Sequence, residues 1–327
     1  MVLEPRTLVI LDTNKVRANF EWEKDYSNFE LKGDFVRIID WIEQNRLQGL
    51  VSVGLPEIVV EELVANRCAN FDQELERLKL SLKKLGNLSC CNLTGIVLPG
   101  EDFDYRQFFK NKMEEYMGAK PFLIILKLDR EVHAKTLERV MKKALFKAKP
   151  FDDSGRGFKD ALIWETILNF KDMNGYHNVF LLTEDSDFDS LQGEFAKTFS
   201  KDLHRESDTT TLIVNLEKIY GLYVKYPELV RYLKTEYFRS KLSEYLADEL
   251  DFAIVNFEVK RIVAINEVTR EDLQEFEVPE TYTEDDLVSL KRVDFAFENK
   301  LHEFNAAMVI EATTNEIVAL HHEGTSK

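Results

Sequence analysis

Two short apolar runs, far apart in the chain, each end in carboxylates. Leu8-Val9-Ile10-Leu11 runs directly into Asp12-Thr13-Asn14, and Val179-Phe180-Leu181-Leu182 runs into Thr183-Glu184-Asp185-Ser186-Asp187. Four consecutive apolar residues suit a strand buried on both faces of a sheet. Each acid then falls at the C-terminal end of a strand, which is where open α/β sheets place their sites. If the two strands are neighbours in a parallel sheet, Asp12 and Asp185 lie a few ångströms apart, and like charges that close need a cation between them or a shared proton. A divalent metal is the simpler answer.

Other residues qualify on type and spacing. Asp160 precedes Ile163, Trp164 and Ile167 at helical intervals, so it lies on an apolar stripe. A carboxylate there is a helix cap, the partner of a base, or a metal ligand, and taken alone the cap is favoured. Glu61 and Glu62 sit on the helix that follows Pro56, and periodicity alone does not settle which of them turns inward. Arg139, Lys142, Lys143, Lys147 and Lys149 form a basic stretch that suits either phosphate contacts or a solvated helix face. Arg156 and Lys159 precede or open a helix and are placed to meet a phosphate if that helix start faces the site. The six histidines have no metal-ligand spacing, and the aromatics between Asn19 and Phe29 read as loop packing more readily than as a base-stacking surface.

The elements that must position these groups alternate between strand and helix. Helices are expected from Asp34, as its cap, to about Arg46, over 57–64, over Phe71–Leu85, around Tyr105–Tyr116, through the basic stretch, from Asp160 to Phe170, and from Phe188 to Ser200. Strands are expected at Leu50–Val53 and, as a fifth, at Thr211–Val214. One long helix is expected from Pro227 to Leu250. Beyond it the pattern becomes alternating, in Phe252–Val259, in Ala306–Ala312 and, after Thr313-Thr314-Asn315-Glu316, in Ile317–Leu320, which predicts a hairpin in a small antiparallel unit.

The 327 residues suffice for one substantial core and a smaller extension, divided here as 1–224 and 225–327. A net charge of −16 argues against a broad basic surface for duplex DNA, and a site made of acids contributes to that excess. Cys68, Cys90 and Cys91 have neither disulfide-framework nor zinc-ribbon spacing and read as reduced thiols of a cytoplasmic protein. Glu4, Pro5 and Arg6 interrupt any signal-peptide run, and no apolar stretch approaches about 18 residues, so no membrane association is expected.

Taken together, Leu11-Asp12-Thr13-Asn14, Pro56 to Leu63, Phe158 to Glu165 and Thr183 to Phe188 resemble, in content and order, the motifs of the PIN-domain nucleases, in their larger PIN-like branch. The resemblance implies a three-layer α/β/α sandwich around a central parallel sheet, here with a C-terminal α+β extension. It implies an Mg²⁺ or Mn²⁺ site built from Asp12, Glu62, Asp160 and Asp185, with Asp187 as a further ligand or water-holder and Thr13 or Asn14 and Thr183 standing behind them. Glu62 is preferred to Glu61 because the family's acid directly precedes the leucine. Family members cleave single-stranded or structured RNA, and many act as bacterial toxins or defence effectors. Such an ion suits hard carboxylate oxygens, acidifies a bound water and offsets charge on the scissile phosphate. Asn14 stands where a haloacid dehalogenase phosphatase needs a second aspartate, which disfavours that class. The serious rival is a PIN-like fold used as a binding or scaffolding module. Residues 225–327 are expected to serve oligomerisation, a protein partner or regulation.

Overall fold

A computed structural model of the chain describes residues 5–16, 26, 29, 31, 33–88, 90, 92–93, 95–100, 102–128, 130–152, 154–249, 258–276, 278–279, 282, 287–298, 303–314 and 316–326. The apolar runs ahead of the acids do form strands, β1 (Thr7–Leu11) and, later in the chain, Asn178–Leu182, and their interior residues are buried on both faces. Between them the chain forms α1 (Thr13–Val16), α2 (Asp34–Gln44), β2 (Val51–Pro56), α3 (Glu57–Leu85), α4 (Tyr105–Gly118), β3 (Leu123–Leu126), α5 (His133–Leu145) and α6 (Phe158–Leu168), so that Asn178–Leu182 is β4. After it come a 3₁₀ turn at Ser186–Leu191, α7 (Gln192–Phe199), β5 (Leu203–Glu206) and α8 (Thr209–Lys225).

Strand order is β3-β2-β1-β4-β5, every pair parallel, with helices flanking the sheet. Successive strands step one way from β1 to β3 and the other way from β4 to β5. The reversal therefore falls between β1 and β4, the crevice where open sheets of this kind bind ligands. In β2, Gly54 admits its neighbours closely: a Cβ there would lie 3.2 Å from side-chain carbons of both Leu8 and Leu126.

Several elements differ from the sequence reading. Thr211–Val214 is not a strand but part of α8, and the fifth strand is Leu203–Glu206. The β-branched run gives way because Leu212, Leu216 and Tyr220 are buried at a spacing of four, and Asp208 accepts hydrogen bonds from Thr211 N (2.8 Å) and Oγ1 (2.7 Å) just ahead of the helix. The segments 57–64 and 71–85 are one continuous helix, α3, whose C-terminal half leaves Leu78, Leu80 and Leu85 exposed. Asp34 begins α2 without capping it; the cap position is Gly33. Helix 227–250 is broken into α9 (Pro227–Tyr232) and α10 (Glu236–Glu249), because Thr235 Oγ1 accepts from Phe238 N (3.1 Å) and so starts a new helix. Of the aromatic loop, Phe20 and Trp22 lie outside the described residues. Tyr26 packs on Phe71 and Tyr105, and Phe29 on Phe109 and Tyr116.

The chain divides within α8 into two compact units, Arg6–Asn215 and one formed chiefly by Leu216–Lys327. The second unit holds an antiparallel sheet in the order β6 (Glu258–Glu267), β7 (Leu290–Glu298), β8 (Glu303–Glu311), β9 (Ile317–Ser326), with α11 (Arg270–Glu275) after β6. The expected hairpin is β8–β9, within four strands rather than alone; the run Phe252–Phe257 lies outside the described residues. One face packs on Leu229, Leu233, Phe238 and Leu242 of the α9–α10 region, and the other carries a smaller cluster around Phe276, Leu290 and Val309. The central β7–β8 ladder pairs without interruption from Leu290↔Glu311 to Glu298↔Glu303. Both outer strands slip against it twice, leaving Lys260 and Val263 of β6 and Val318 and Gly324 of β9 without a register partner. Among the described residues no helix is long and apolar enough to cross a membrane.

Candidate active site

The pairing Leu11↔Leu182 brings the two strand-end acid clusters side by side. Asp12 N donates to Leu182 O (3.2 Å), so the chain leaves β1 still tied to β4. Asp12 is 7% exposed, and both of its oxygens are held: Oδ1 accepts from Thr13 N (2.6 Å) and Oδ2 from the Thr183 hydroxyl (2.7 Å). Thr183, wholly buried, also accepts from Asp185 N (3.1 Å). On the other side the Thr13 hydroxyl donates to Glu62 Oε2 (3.0 Å). A chain of hydrogen bonds thus runs from the Asp185 backbone through Thr183, Asp12 and Thr13 to Glu62, crossing from the end of β4 to α3.

Glu62, not Glu61, turns to this cluster. Glu61 pairs with Lys110 (2.8 Å) and Arg106 (3.4 Å) across to α4. Asp185 Oδ1 accepts from Asp187 N (2.8 Å), fixing the turn that carries both. Asp160 is the third residue of α6, whose cap position is Gly157, so the cap reading of Asp160 is corrected: the loop ends at Gly157, with φ at 118°, and the helix starts at Phe158. Asn14 is exposed and, unlike Thr13, joins none of the described hydrogen bonds to the acids.

Electrostatics follow the geometry. Burial raises the Asp12 carboxyl above its ordinary range, the bonds from Thr183 and Thr13 work against that, and Asp185 and Glu62 add to it. Asp160 is pushed up to about 6, first by burial and then by the negative charges of Asp12, Asp185 and Asp187. Four carboxylates on separate elements therefore sense one another, and a cation among them would relieve the repulsion. The donors are all carboxylate oxygens, which fit a hard divalent ion such as Mg²⁺ or Mn²⁺. Among the described residues no three Asp, Glu, His or Cys side chains form a ready-made metal cage. Part of the reason is visible: Glu62 Oε1 is held by Lys159 and Asp187 Oδ1 by Lys149, each at 2.6 Å.

The basic candidates separate. Lys142 pairs with Glu138 one helical turn away (2.6 Å), a solvated face of α5. Lys143 is turned to Glu194 (3.1 Å) and to the buried Glu165 (3.7 Å), which Arg139 meets at 2.6 Å. Neither Lys142 nor Lys143 reaches the acid cluster in these pairings, because the α5 surface finds acids of its own. Arg156 is exposed in the loop before α6, and Lys159 alone of these four touches a candidate acid.

Sequence reasoning missed two supports. Lys15, 5% exposed, reaches Glu184 Oε1 (2.8 Å) and Asp34 Oδ2 (3.3 Å); burial alone would lower it, but these partners outweigh burial and hold it above the ordinary lysine range. Arg205 on β5 donates to Thr183 O (3.2 Å) and pairs with Asp189 (2.6 Å). Only Lys15 left a trace in the sequence, as a lysine three residues beyond a strand-end aspartate.

A family model described as the PIN domain matches residues 9–188, which is more than half of the chain and includes all five candidate acids. No curated protein and no solved structure matches it. PIN domains are generally nucleases and usually depend on divalent metal. The five-stranded parallel order, the acids at its switch point and this match agree: the chain belongs to the PIN-domain family.

Proposed function

We propose that the chain is a metal-dependent endoribonuclease that hydrolyses phosphodiesters of single-stranded or structured RNA. The observation that carries this reading is the pair Asp12 and Asp185 at adjacent strand ends, joined through Thr183, with Asp160 driven up by burial and by their charge. A bound Mg²⁺ or Mn²⁺ would supply an acidified water and offset the charge of the scissile phosphate. Asp12, Asp160 and Asp185 would hold it, with Glu62 and Asp187 at the margins. Thr183 and Thr13 orient the Asp12 carboxylate, and Lys15 fixes Glu184 beside Asp185. Phe158, half exposed two residues before Asp160, offers a ring for an unpaired base, which favours single strands.

The biological setting that fits a PIN-domain ribonuclease is that of a toxin or anti-phage defence effector acting in the cytoplasm, with residues 225–327 engaged in self-association, a protein partner or regulation. The test is cleavage of labelled single-stranded RNA and DNA with Mn²⁺, Mg²⁺ or EDTA. The wild type is expected to cut RNA only with metal, and Asp12→Asn and Asp185→Asn to lose at least about 10²-fold of the rate. Expression of the wild type, but neither variant, should arrest bacterial growth. The second reading, a catalytically silent module, is favoured by the lysines on Glu62 and Asp187 and by the net charge of −16. It predicts neither cleavage nor Mn²⁺ binding.

A further inference from the structure

The loop between α5 and α6 is built to keep one shape. Phe151 is buried against Val140 and Ala161. Asp152 turns the chain back on itself: its Oδ1 accepts from Ser154 N (2.9 Å), Ser154 Oγ (2.7 Å) and Arg156 N (2.8 Å), while its own N donates to Arg156 O (2.9 Å). Gly157 then passes so close to Pro150 that a Cβ on it would lie 2.3 Å from the Pro150 oxygen. A loop anchored and cross-tied in this way holds its two ends at a fixed separation.

A lysine flanks the tied segment on each side, Lys149 just before Pro150 and Lys159 as the second residue of α6, and each reaches an acid of the site. Lys149 meets Asp187 in the turn after β4, and Lys159 meets Glu62 on α3. The loop therefore spans the acid cluster between two different elements. The two lysines are 48% and 61% exposed while their acids are 28% and 15% exposed, so the ammonium groups approach the half-buried carboxylates from the solvent side. With Lys159 in place, both oxygens of Glu62 are engaged, the second by Thr13. Lys15 is of another kind, buried and bound to Glu184 and Asp34.

We propose that Lys149 and Lys159 are exchangeable counter-ions. In the metal-free protein they neutralise Asp187 and Glu62; on loading they leave these carboxylates to a cation and take up backbone phosphates of a single-stranded nucleic acid. The inference rests on the nuclease reading and adds a consequence to it. Metal and nucleic acid bind with positive coupling, because phosphates draw away the ammonium groups that compete with the metal, and the metal releases ammonium groups to the phosphates. Linkage requires the effect to be reciprocal.

The test is a Mn²⁺ titration of the full-length protein, followed by electron paramagnetic resonance of the free ion, with and without a single-stranded phosphorothioate oligonucleotide. Wild type, Lys149→Gln/Lys159→Gln and Lys149→Arg/Lys159→Arg are compared. The oligonucleotide is expected to tighten Mn²⁺ binding by the wild type about tenfold. Without oligonucleotide the double Gln variant should already bind Mn²⁺ about tenfold more tightly than the wild type and gain nothing further, while the double Arg variant keeps the coupling. A Gln variant that binds Mn²⁺ more weakly, as loss of a merely structural clamp would give, overturns the proposal. So does equal Mn²⁺ affinity in wild type and Gln variant, which leaves the nuclease reading standing. If the wild type binds no Mn²⁺ in either condition, both fall.

Discussion

Thr183 does two things with one hydroxyl: it donates to Asp12 and accepts from the backbone of Asp185. Thr183→Val keeps the shape and removes both bonds. We expect metal affinity or cleavage to fall about 10- to 100-fold, as for other groups that orient a metal-binding carboxylate, with the fold retained. Unchanged metal affinity and cleavage in a folded variant would contradict this role. Asp160 gives a pH-dependent prediction. Its folded pKa of about 6 lies above the ordinary 3.8, so the folded chain holds this proton more tightly than the unfolded chain does. In metal-free protein its favourable contribution is complete below the ordinary value and is lost as pH rises through about 6. Asp160→Asn should therefore be more stable than wild type at neutral pH, by on the order of 1 kcal/mol after solvent screening. That advantage should vanish in acid, and urea denaturation in EDTA at both pH values measures it. At this scale the sequence showed Asp12 and Asp185 plainly, because an apolar run that ends in an acid is a local pattern. The choice between Glu61 and Glu62 was not local: it depends on Thr13 and Lys159 on one side and on Lys110 and Arg106 on the other. The pairing of Lys15 with Glu184 joins residues 169 positions apart, a separation no spacing rule reaches.

Among the elements, the loop closed by Gly157 makes the sharpest demand on residue type. A φ of 118° and a Cβ position 2.3 Å from the Pro150 oxygen exclude any side chain without backbone movement. Gly157→Ala should cost about 2–4 kcal/mol and lower the midpoint of thermal unfolding. A variant that melts like the wild type would mean that the loop opens without penalty. Elements with a consistent apolar period, such as β1, β4 and α6, were readable. The sequence is ambiguous where two local signals conflict or one is short. Thr209–Val214 has the β-branched composition of a strand, and the four-residue spacing of its buried face overrides it. β3 has only four residues, and its short apolar run between Pro121 and Lys127 carries no acid at its end to mark it.

For the molecule as a whole, the two compact units lead us to expect two unfolding transitions. Phe297, wholly buried in the antiparallel unit, is far in sequence from every candidate acid. Phe297→Ala should lower one of two calorimetric transitions by about 3–5 kcal/mol and leave metal-dependent cleavage in place. If residues 225–327 also carry self-association, the sedimenting mass should fall with that transition. A single transition shifted as one would show that the units unfold together. The net charge of −16 has its own consequence: attraction of any nucleic acid would rest on a few local cations, so each of them would matter more than it would on a basic surface.

The slips in the outer strands of the antiparallel sheet bear on how copies of this chain can meet. A flat, regular edge offers a continuous row of backbone donors and acceptors to any neighbouring strand, and so seeds fibres. Here the unbroken ladder is confined to the two inner strands, and each margin is interrupted twice. Growth by adding strand to strand is therefore disfavoured at both margins, which leaves the side chains of a face or a helix as the better surface for any assembly through this unit.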